Sequence, residues 1–158
     1  IGVRKGKNDK ADSLMIAEYA MRNMDKAVFY EPPDENIRNL KALFLYRHKL
    51  VQEITQKRVR INHEIEIENV PKGNTRNFIK RDAEKSIRAL QKSIKACEKE
   101  ILRIVSEDES LHRNYRHITS IKGVSLVNAV AIIVYSNNFR TITSSRKMAS
   151  YYGVASFR

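Results

Sequence analysis

Residues 87–104, IRALQKSIKACEKEILRI, decide the fold of this chain. Their apolar side chains recur at alternating steps of three and four residues, at Ile87, Leu90, Ile94, Cys97, Ile101 and Ile104. On an α-helix these steps place every apolar side chain on one narrow stripe, as in the seam of a coiled coil. The stretch therefore predicts a long helix whose apolar stripe must be covered by a second helix.

The same rhythm is present upstream, at Ile37, Leu40, Phe44, Val51, Ile54, Ile61 and Ile65, with Arg47 and Arg58 at the seam positions between them. The segment NVPKGN at residues 69–74 separates the two stretches and is rich in turn formers. We therefore predict an antiparallel coiled-coil helical hairpin over residues 34–107, with arms of about thirty residues, or ~45 Å. The seam is either internal to the hairpin or shared with another subunit. Arg47 and Arg58 weaken a purely internal seam slightly, because buried arginines need partners. We expect a homo-oligomer formed through the hairpin.

The segments that flank the hairpin are also predicted to be helical, so the fold class is mainly α. Upstream, Asn8 or Asp9 caps a helix that runs to about Met24. Residues 28–30 then form a short strand or an extended link, and the proline pair that begins at Pro32 stops any regular element. Downstream, the predicted elements are a helix from 107–110 to about 118, a turn at 121–123, a helix over 126–135, a loop at 137–138, a helix over 144–152 and a strand begun at 154–157.

The composition limits the classes of function. The 158 residues include 30 Lys and Arg against 18 Asp and Glu, a net charge of +12, so a polyanion is the natural partner. The longest apolar run, residues 124–135, falls short of the ~20 residues that span a bilayer, so no membrane partner and a cytoplasmic location are expected. The single cysteine and the four scattered histidines lack the spacing of a zinc site. No P-loop and no Ser-His-Asp pattern is present.

Two carboxylates near the N-terminus form the candidate catalytic and metal-binding cluster. Asp9 and Asp12, in KNDKADS, lie three residues apart and share one face of the predicted helix. Both carboxylates can therefore face one Mg²⁺ or Mn²⁺ ion, as in two-metal nucleases. Helix capping by Asp9 on a solvated face is the alternative interpretation of this spacing.

The turn at Lys122 and Gly123 is the candidate nucleic-acid-binding element. A glycine lets the backbone approach a phosphate, and the helix that follows points its N-terminus at that anion, as in a helix-hairpin-helix element. Ser125 occupies the position of the usual second glycine, and an ordinary turn between two core helices is the alternative. The basic residues that could add salt-dependent phosphate contacts are Arg140, Arg146 and Lys147.

Two blocks of the chain resemble a known family. The stretch KNDKADSLMIAEYA resembles the K-x-D-x-x-D-A-x-x-I-A-x-Y/L block that closes the RuvC-like domain of DEDD-type, Piv-related bacterial insertion-sequence transposases, the family of insertion sequence one-ten. The stretches ITSIKGVSLVNAVAII and FRTITSSRKMASYYGVASF resemble the second conserved domain of that family. The order of the blocks covers nearly the whole chain.

The resemblance implies a DNA transposase or site-specific recombinase that cleaves and rejoins DNA strands. Asp9 and Asp12 match the last two acidic residues of the DEDD set, which implies Mg²⁺ as cofactor. The other two acidic residues are expected upstream of Ile1. The serine nucleophile of the family is expected beyond Arg158, and Ser156 is not that nucleophile, because it aligns with a proline of the family. The implied partners are DNA and, in some members, a structured guide RNA.

The resemblance also implies a division of the chain into three parts. Residues 1–33 would close the RuvC-like nuclease domain, residues 34–107 form the hairpin, and residues 108–158 form most of a small helical, DNA-contacting C-terminal domain. We expect this fragment to bind nucleic acid, to be nucleoid-associated, and to be inactive in catalysis alone. The alternative is a non-enzymatic helical module for nucleic-acid binding or oligomerisation.

Overall fold

The computed structural model describes residues 9–27, 31–67 and 70–153, and within these ranges the chain is helical and has no strand. The helices are α1 (Asp9–Arg22), α2 (Glu35–Ile67), α3 (Asn74–Glu107), α4 (Glu109–Thr119), α5 (Leu126–Tyr135) and α6 (Ser145–Tyr151), with a 3₁₀ turn at Met24–Lys26. The chain divides into two compact units, Ile1–Pro32 and Pro33–Arg158. The predicted mainly α fold is confirmed. The three-part division of the chain stays a prediction.

The first unit contains α1, which begins at Asp9 and ends close to the predicted position. Its last turn is closed by Asn23, whose side-chain amide donates to the carbonyl oxygen of Tyr19 over 2.8 Å. None of the α1 residues is buried, and large apolar side chains such as Ile16 stand in solvent. The predicted cap Asn8 and the predicted strand or link at residues 28–30 lie outside the described residues.

In the second unit, α2 and α3 pack side by side and run in opposite directions. The Cys97 thiol donates to the carbonyl oxygen of Leu43 at 3.3 Å, and further along α2 the Arg47 guanidinium donates to the Glu98 carboxylate at 2.7 Å. Arg47 therefore has the partner that a seam position requires. Whether the pair supercoils as a coiled coil stays a prediction.

One seam position of α2 differs from the prediction. Val51 is exposed and its neighbour Leu50 is buried instead, so the buried stripe lies one position from the predicted seam at that point. Arg58 is also exposed, although it lines a pocket between the two arms together with Ile61 and Ile87. An arginine that reaches solvent keeps its hydration and needs no buried partner.

One apolar core joins α4 and α5 to the half of the hairpin that lies away from its turn. The residues at its centre are buried side chains of all four helices: Ile37, Leu40, Cys97, Ile101, Ile104, Val105, Leu111, Ile118, Ala129, Val130, Ile133 and Val134. Helix α5 packs against both α2 and α4, which explains why its sequence, LVNAVAIIVY, is apolar on nearly every side. Among the described residues, no helix is long and apolar enough to cross a membrane.

Asp108 joins the hairpin to α4. It follows the last residue of α3 and caps α4, where its carboxylate accepts a hydrogen bond from the backbone N–H of Leu111 at 3.0 Å. The other carboxylate oxygen accepts from the side-chain amide of Asn36, at the start of α2, over 3.1 Å. These hydrogen bonds lower the pKa of the Asp108 carboxyl, the bond from Leu111 most of all.

Candidate nucleic-acid interface

The two candidate metal ligands lie in the first turn of α1. Asp9 is exposed and Asp12 is half-buried, and their three-residue spacing puts both on one helical face. The residues that the structure describes contain no group of three or more His, Cys, Asp or Glu side chains able to hold a metal ion. Because Mg²⁺ takes an octahedral set of oxygens, this pair fits only part of a magnesium site.

The turn between α4 and α5 contains Gly123 in a left-handed backbone conformation, and its helix-hairpin-helix character stays a prediction. The backbone N–H of Val124 donates to the carbonyl oxygen of Ile121 at 3.1 Å, and Gly123 has a φ of +92°. That left-handed backbone is the reason for a glycine here. A side chain at Gly123 would meet nothing within 4 Å, so the backbone faces open space.

The residues just before α5 are exposed. Lys122, Gly123 and Ser125 are all exposed. The Ser125 hydroxyl makes no capping hydrogen bond to the helix, and the first N–H groups of any α-helix lack acceptors within that helix. The turn therefore offers one cation, one hydroxyl and several backbone donors to an anion.

Arg140 follows a turn that the sequence predicted only as a loop. Asn137, Asn138 and Phe139 all have left-handed φ values, of 49°, 53° and 67°. The buried Ser136 hydroxyl stabilises this turn by accepting from the backbone N–H of Phe139 at 3.0 Å. The Arg140 guanidinium is 2.8 Å from the Asp34 carboxylate, which offsets part of its charge even though both side chains are more than half exposed.

Arg146 and Lys147 are exposed in the first turn of α6, which begins at the Ser144 cap. The Ser144 hydroxyl accepts a hydrogen bond from the backbone N–H of Lys147 at 3.3 Å. Both basic side chains line one shallow depression, together with Tyr151. The Tyr151 ring lies 5.4 Å from the Tyr152 ring in an edge-to-face arrangement, and both rings are partly exposed.

The candidate residues form separate groups. Lys122, Gly123 and Ser125 share the turn before α5, whereas Arg146 and Lys147 share the start of α6. No hydrogen bond or ion pair among the described residues joins these two groups to each other or to Arg140. Asp9 and Asp12 belong to the other compact unit.

A groove between α3 and α4 was not predicted from the sequence. Its volume is about 740 Å³, and its lining includes Lys99, Arg103, His112, Tyr115 and Arg116. Burial raises the pKa of the Tyr115 hydroxyl. The stretch HRNYRH of α4 is the only sequence signal for such a surface, since it combines basic and aromatic side chains within two helical turns.

Comparison with protein families finds a match to the N-terminal part of the chain. Residues 1–66, which include Asp9, Asp12 and nearly all of α2, match a family model described as Transposase. The model is that of the DEDD-type transposases of insertion sequence IS110, so the resemblance drawn from the sequence is confirmed over these residues. No curated protein matches the chain.

Proposed function

We propose that this chain is part of a DNA transposase that cleaves and rejoins DNA strands at specific sites when its full set of domains is present. The observation that carries this proposal is the transposase match over residues 1–66, which contains both Asp9 and Asp12. In the full protein these carboxylates would hold a divalent cation together with further acidic residues. The cation would supply Lewis-acid chemistry at the scissile phosphate.

The C-terminal helices would bind the DNA backbone. The turn at Lys122 and Gly123 would donate backbone N–H groups to a phosphate, because the turn is exposed and directly precedes the N-terminus of α5. Arg146 and Lys147 would add contacts that carry no base specificity. A structured RNA presents the same phosphates and is the second nucleic-acid partner in this proposal.

Binding to DNA tests the C-terminal part of the proposal. Fluorescence anisotropy of a labelled 20-base-pair duplex would be measured from 50 to 200 mM salt, with a structured RNA in parallel. We expect Lys122→Glu and the Arg146→Glu/Lys147→Glu pair to weaken binding and to flatten its salt dependence. The matched control reverses two exposed lysines of α2 and the hairpin turn, Lys49→Glu/Lys72→Glu. Equal losses in the control and in the C-terminal variants would contradict the assignment.

Incubation with DNA and Mg²⁺ tests the catalytic part of the proposal. We expect no strand cleavage by this chain, because Asp9 and Asp12 provide only part of a metal site. Cleavage that disappears in Asp9→Asn would show that the chain completes the site by itself, and the proposed inactivity would be wrong.

A non-enzymatic binding module is the second candidate function. The position of Asp9 favours it, because a carboxylate in the first turn of a helix is stabilised by the helix dipole without any metal. Broadening of the α1 amide resonances by Mn²⁺ separates the two functions. Broadening that is lost in Asp9→Asn/Asp12→Asn supports a metal-binding role, whereas none in the unsubstituted chain supports the module.

We also propose that the hairpin forms the homo-oligomer. Val59 and Phe78 are large apolar side chains that stand exposed in the half of the hairpin near its turn. Sedimentation of the whole chain should give a dimer or larger species that Val59→Glu/Phe78→Glu dissociates. A monomeric unsubstituted chain, or an unchanged mass in that variant, would contradict this role.

A further inference from the structure

The outer face of α3 carries a continuous row of basic side chains. They recur at steps of four, three, four, three and four residues, a spacing that returns to the same face of a helix with each turn. We call this set the basic row, and its members are Arg81, Lys85, Arg88, Lys92, Lys95 and Lys99. At 1.5 Å per residue the row is about 27 Å long, and its members lie within about 40° of one line.

The basic row faces away from the core. The buried residues of α3 include Cys97, Ile101 and Ile104, which lie roughly 140–200° around the helix from Arg81 at 100° per residue. All six members of the row are exposed. Packing of the hairpin therefore neither requires the row nor covers it.

Few acidic side chains balance the row. Arg88 pairs with Glu84 at 3.4 Å, and no other member of the row makes an ion pair with a described residue. The carboxylates of Glu98 and Glu100 are held elsewhere, by Arg47 and Arg103. The row therefore keeps about five uncompensated positive charges. Like charges four residues apart destabilise a helix, so a solvated helix face that served only stability would mix both signs.

The surface next to the row is open to a large ligand. Ala89 and Ala96 are exposed along one side of it, and their small side chains leave the cations accessible. At its far end Lys99 also lines the groove between α3 and α4, where Arg116 adds a further cation. The positive surface thus continues from α3 of the hairpin to α4.

We propose that the basic row binds the phosphate backbone of duplex DNA, as a second contact surface in addition to the C-terminal turn. Duplex DNA presents one phosphate per ~1.7 Å of its axis, whereas the row presents one cation per ~5 Å, so each cation has a phosphate within reach. The choice of DNA over another polyanion rests on the proposed function. The contact is independent of base sequence, because lysines that meet only phosphates read no base edges.

A salt series on the whole chain tests this surface. The variant Lys85→Gln/Lys92→Gln/Lys95→Gln/Lys99→Gln removes four cations and leaves Arg88 with its partner. For four lost phosphate contacts, the slope of log affinity against log salt should fall in magnitude by about 3 to 4 on a 20-base-pair duplex. The control Lys26→Gln/Lys41→Gln/Lys49→Gln/Lys72→Gln makes the same charge change at exposed positions off the row, and its slope should change by less than ~1.

A second variant separates charge from folding. Changing the same four lysines to arginine keeps the charges, and we expect the original slope; circular dichroism should show the helix content of all variants unchanged. An original slope in the glutamine variant, or equal losses in the control, would overturn the proposal. A row-dependent loss seen with a structured RNA and absent with duplex DNA would also overturn it.

The outcomes also separate this inference from the proposed function. If Lys122→Glu abolishes DNA binding and the glutamine variant binds normally, the row has no role and the C-terminal grip stands. If only the glutamine variant loses binding, the row is the contact surface and the C-terminal grip fails. If the unsubstituted chain binds no duplex DNA at 50 mM salt, both fail.

Discussion

Substitution of Asp108 tests the link between the hairpin and the helices that carry the candidate phosphate site. In Asp108→Ala, α4 loses its cap from the carboxylate to the Leu111 N–H, and Asn36 loses its acceptor. A lost N-cap costs about 1 kcal/mol, and a lost hydrogen bond to a charged, half-buried group costs about 1.5 kcal/mol. The free energy of unfolding should therefore fall by ~2.5 kcal/mol. For a chain of this size that lowers the melting temperature by about 5–10 °C.

The same residue should make stability depend on pH in a defined direction. Its hydrogen bonds hold the pKa of the Asp108 carboxyl below the unfolded value of about 3.9. The ionised carboxylate therefore stabilises the fold fully above that value, and the contribution is lost as the pH falls through the lower, folded pKa. Asp108→Asn keeps a capping oxygen and loses the charge. Its deficit relative to the unsubstituted chain should be largest at pH 7 and should shrink as the pH falls below the unfolded value toward the lowered, folded pKa.

Thermal and urea unfolding followed by circular dichroism measure both effects. Asp82→Asn is the matched control, since Asp82 is an exposed carboxylate of α3 that makes no ion pair with a described residue. We expect its melting temperature to change by less than ~2 °C. Equal melting temperatures for Asp108→Ala and the unsubstituted chain at pH 7, or a deficit of Asp108→Asn that grows in acid, would refute this account of the junction.

Three further predictions concern the second unit. The side chains of Arg47 and Glu98 are about three-quarters buried. A double-mutant cycle of alanine variants, measured by urea unfolding, should give a coupling energy of ~1 kcal/mol for this pair. A coupling energy near zero would contradict a stabilising salt bridge. Gly123→Ala should lower the free energy of unfolding by about 1–2 kcal/mol, because Gly123 has a left-handed backbone. Gly73→Ala, at an extended position, should leave that free energy nearly unchanged, and similar losses in the two variants would exclude the left-handed backbone as the cause. The Cys97 thiol is buried, and burial raises its pKa. Alkylation of this thiol at pH 7 should therefore require unfolding. Rapid labelling of the native chain would show instead that the thiol is accessible.

The sequence pattern predicted the helices well, because each helix satisfies its own backbone hydrogen bonds. The bounds Leu126–Tyr135 match the predicted α5, and a turn containing Gly123 precedes it as expected. The arms α2 and α3 also lie where the three- and four-residue steps place them. Periodicity fixes the face that a helix buries. It does not fix which helix covers that face, and so the shared core with α4 and α5 was not predicted.

The details that the sequence left out depend on contacts between distant residues. Asp108 and Asn36 are 72 positions apart, and only the folded hairpin brings them together. The left-handed turn at residues 137–139 includes a phenylalanine, which local propensity does not favour there. It is stabilised by the buried Ser136 hydroxyl, a tertiary feature. The basic row, in contrast, was readable in the sequence, because its steps match those of the apolar seam on the opposite face.

The arrangement of charges on α3 separates cations that serve the fold from cations that are available for binding. Arg103 is held by Glu100 and Glu107, which raise the pKa of its guanidinium, and Arg47 of α2 is held by Glu98. The acidic residues of α3 thus pair mainly with arginines off the basic row. Since the chain carries a net charge of +12, cations without such partners remain, and five of them lie on the basic row of α3. A polyanion would relieve their mutual repulsion when it binds, so the same charges that weaken the free helix would strengthen the complex.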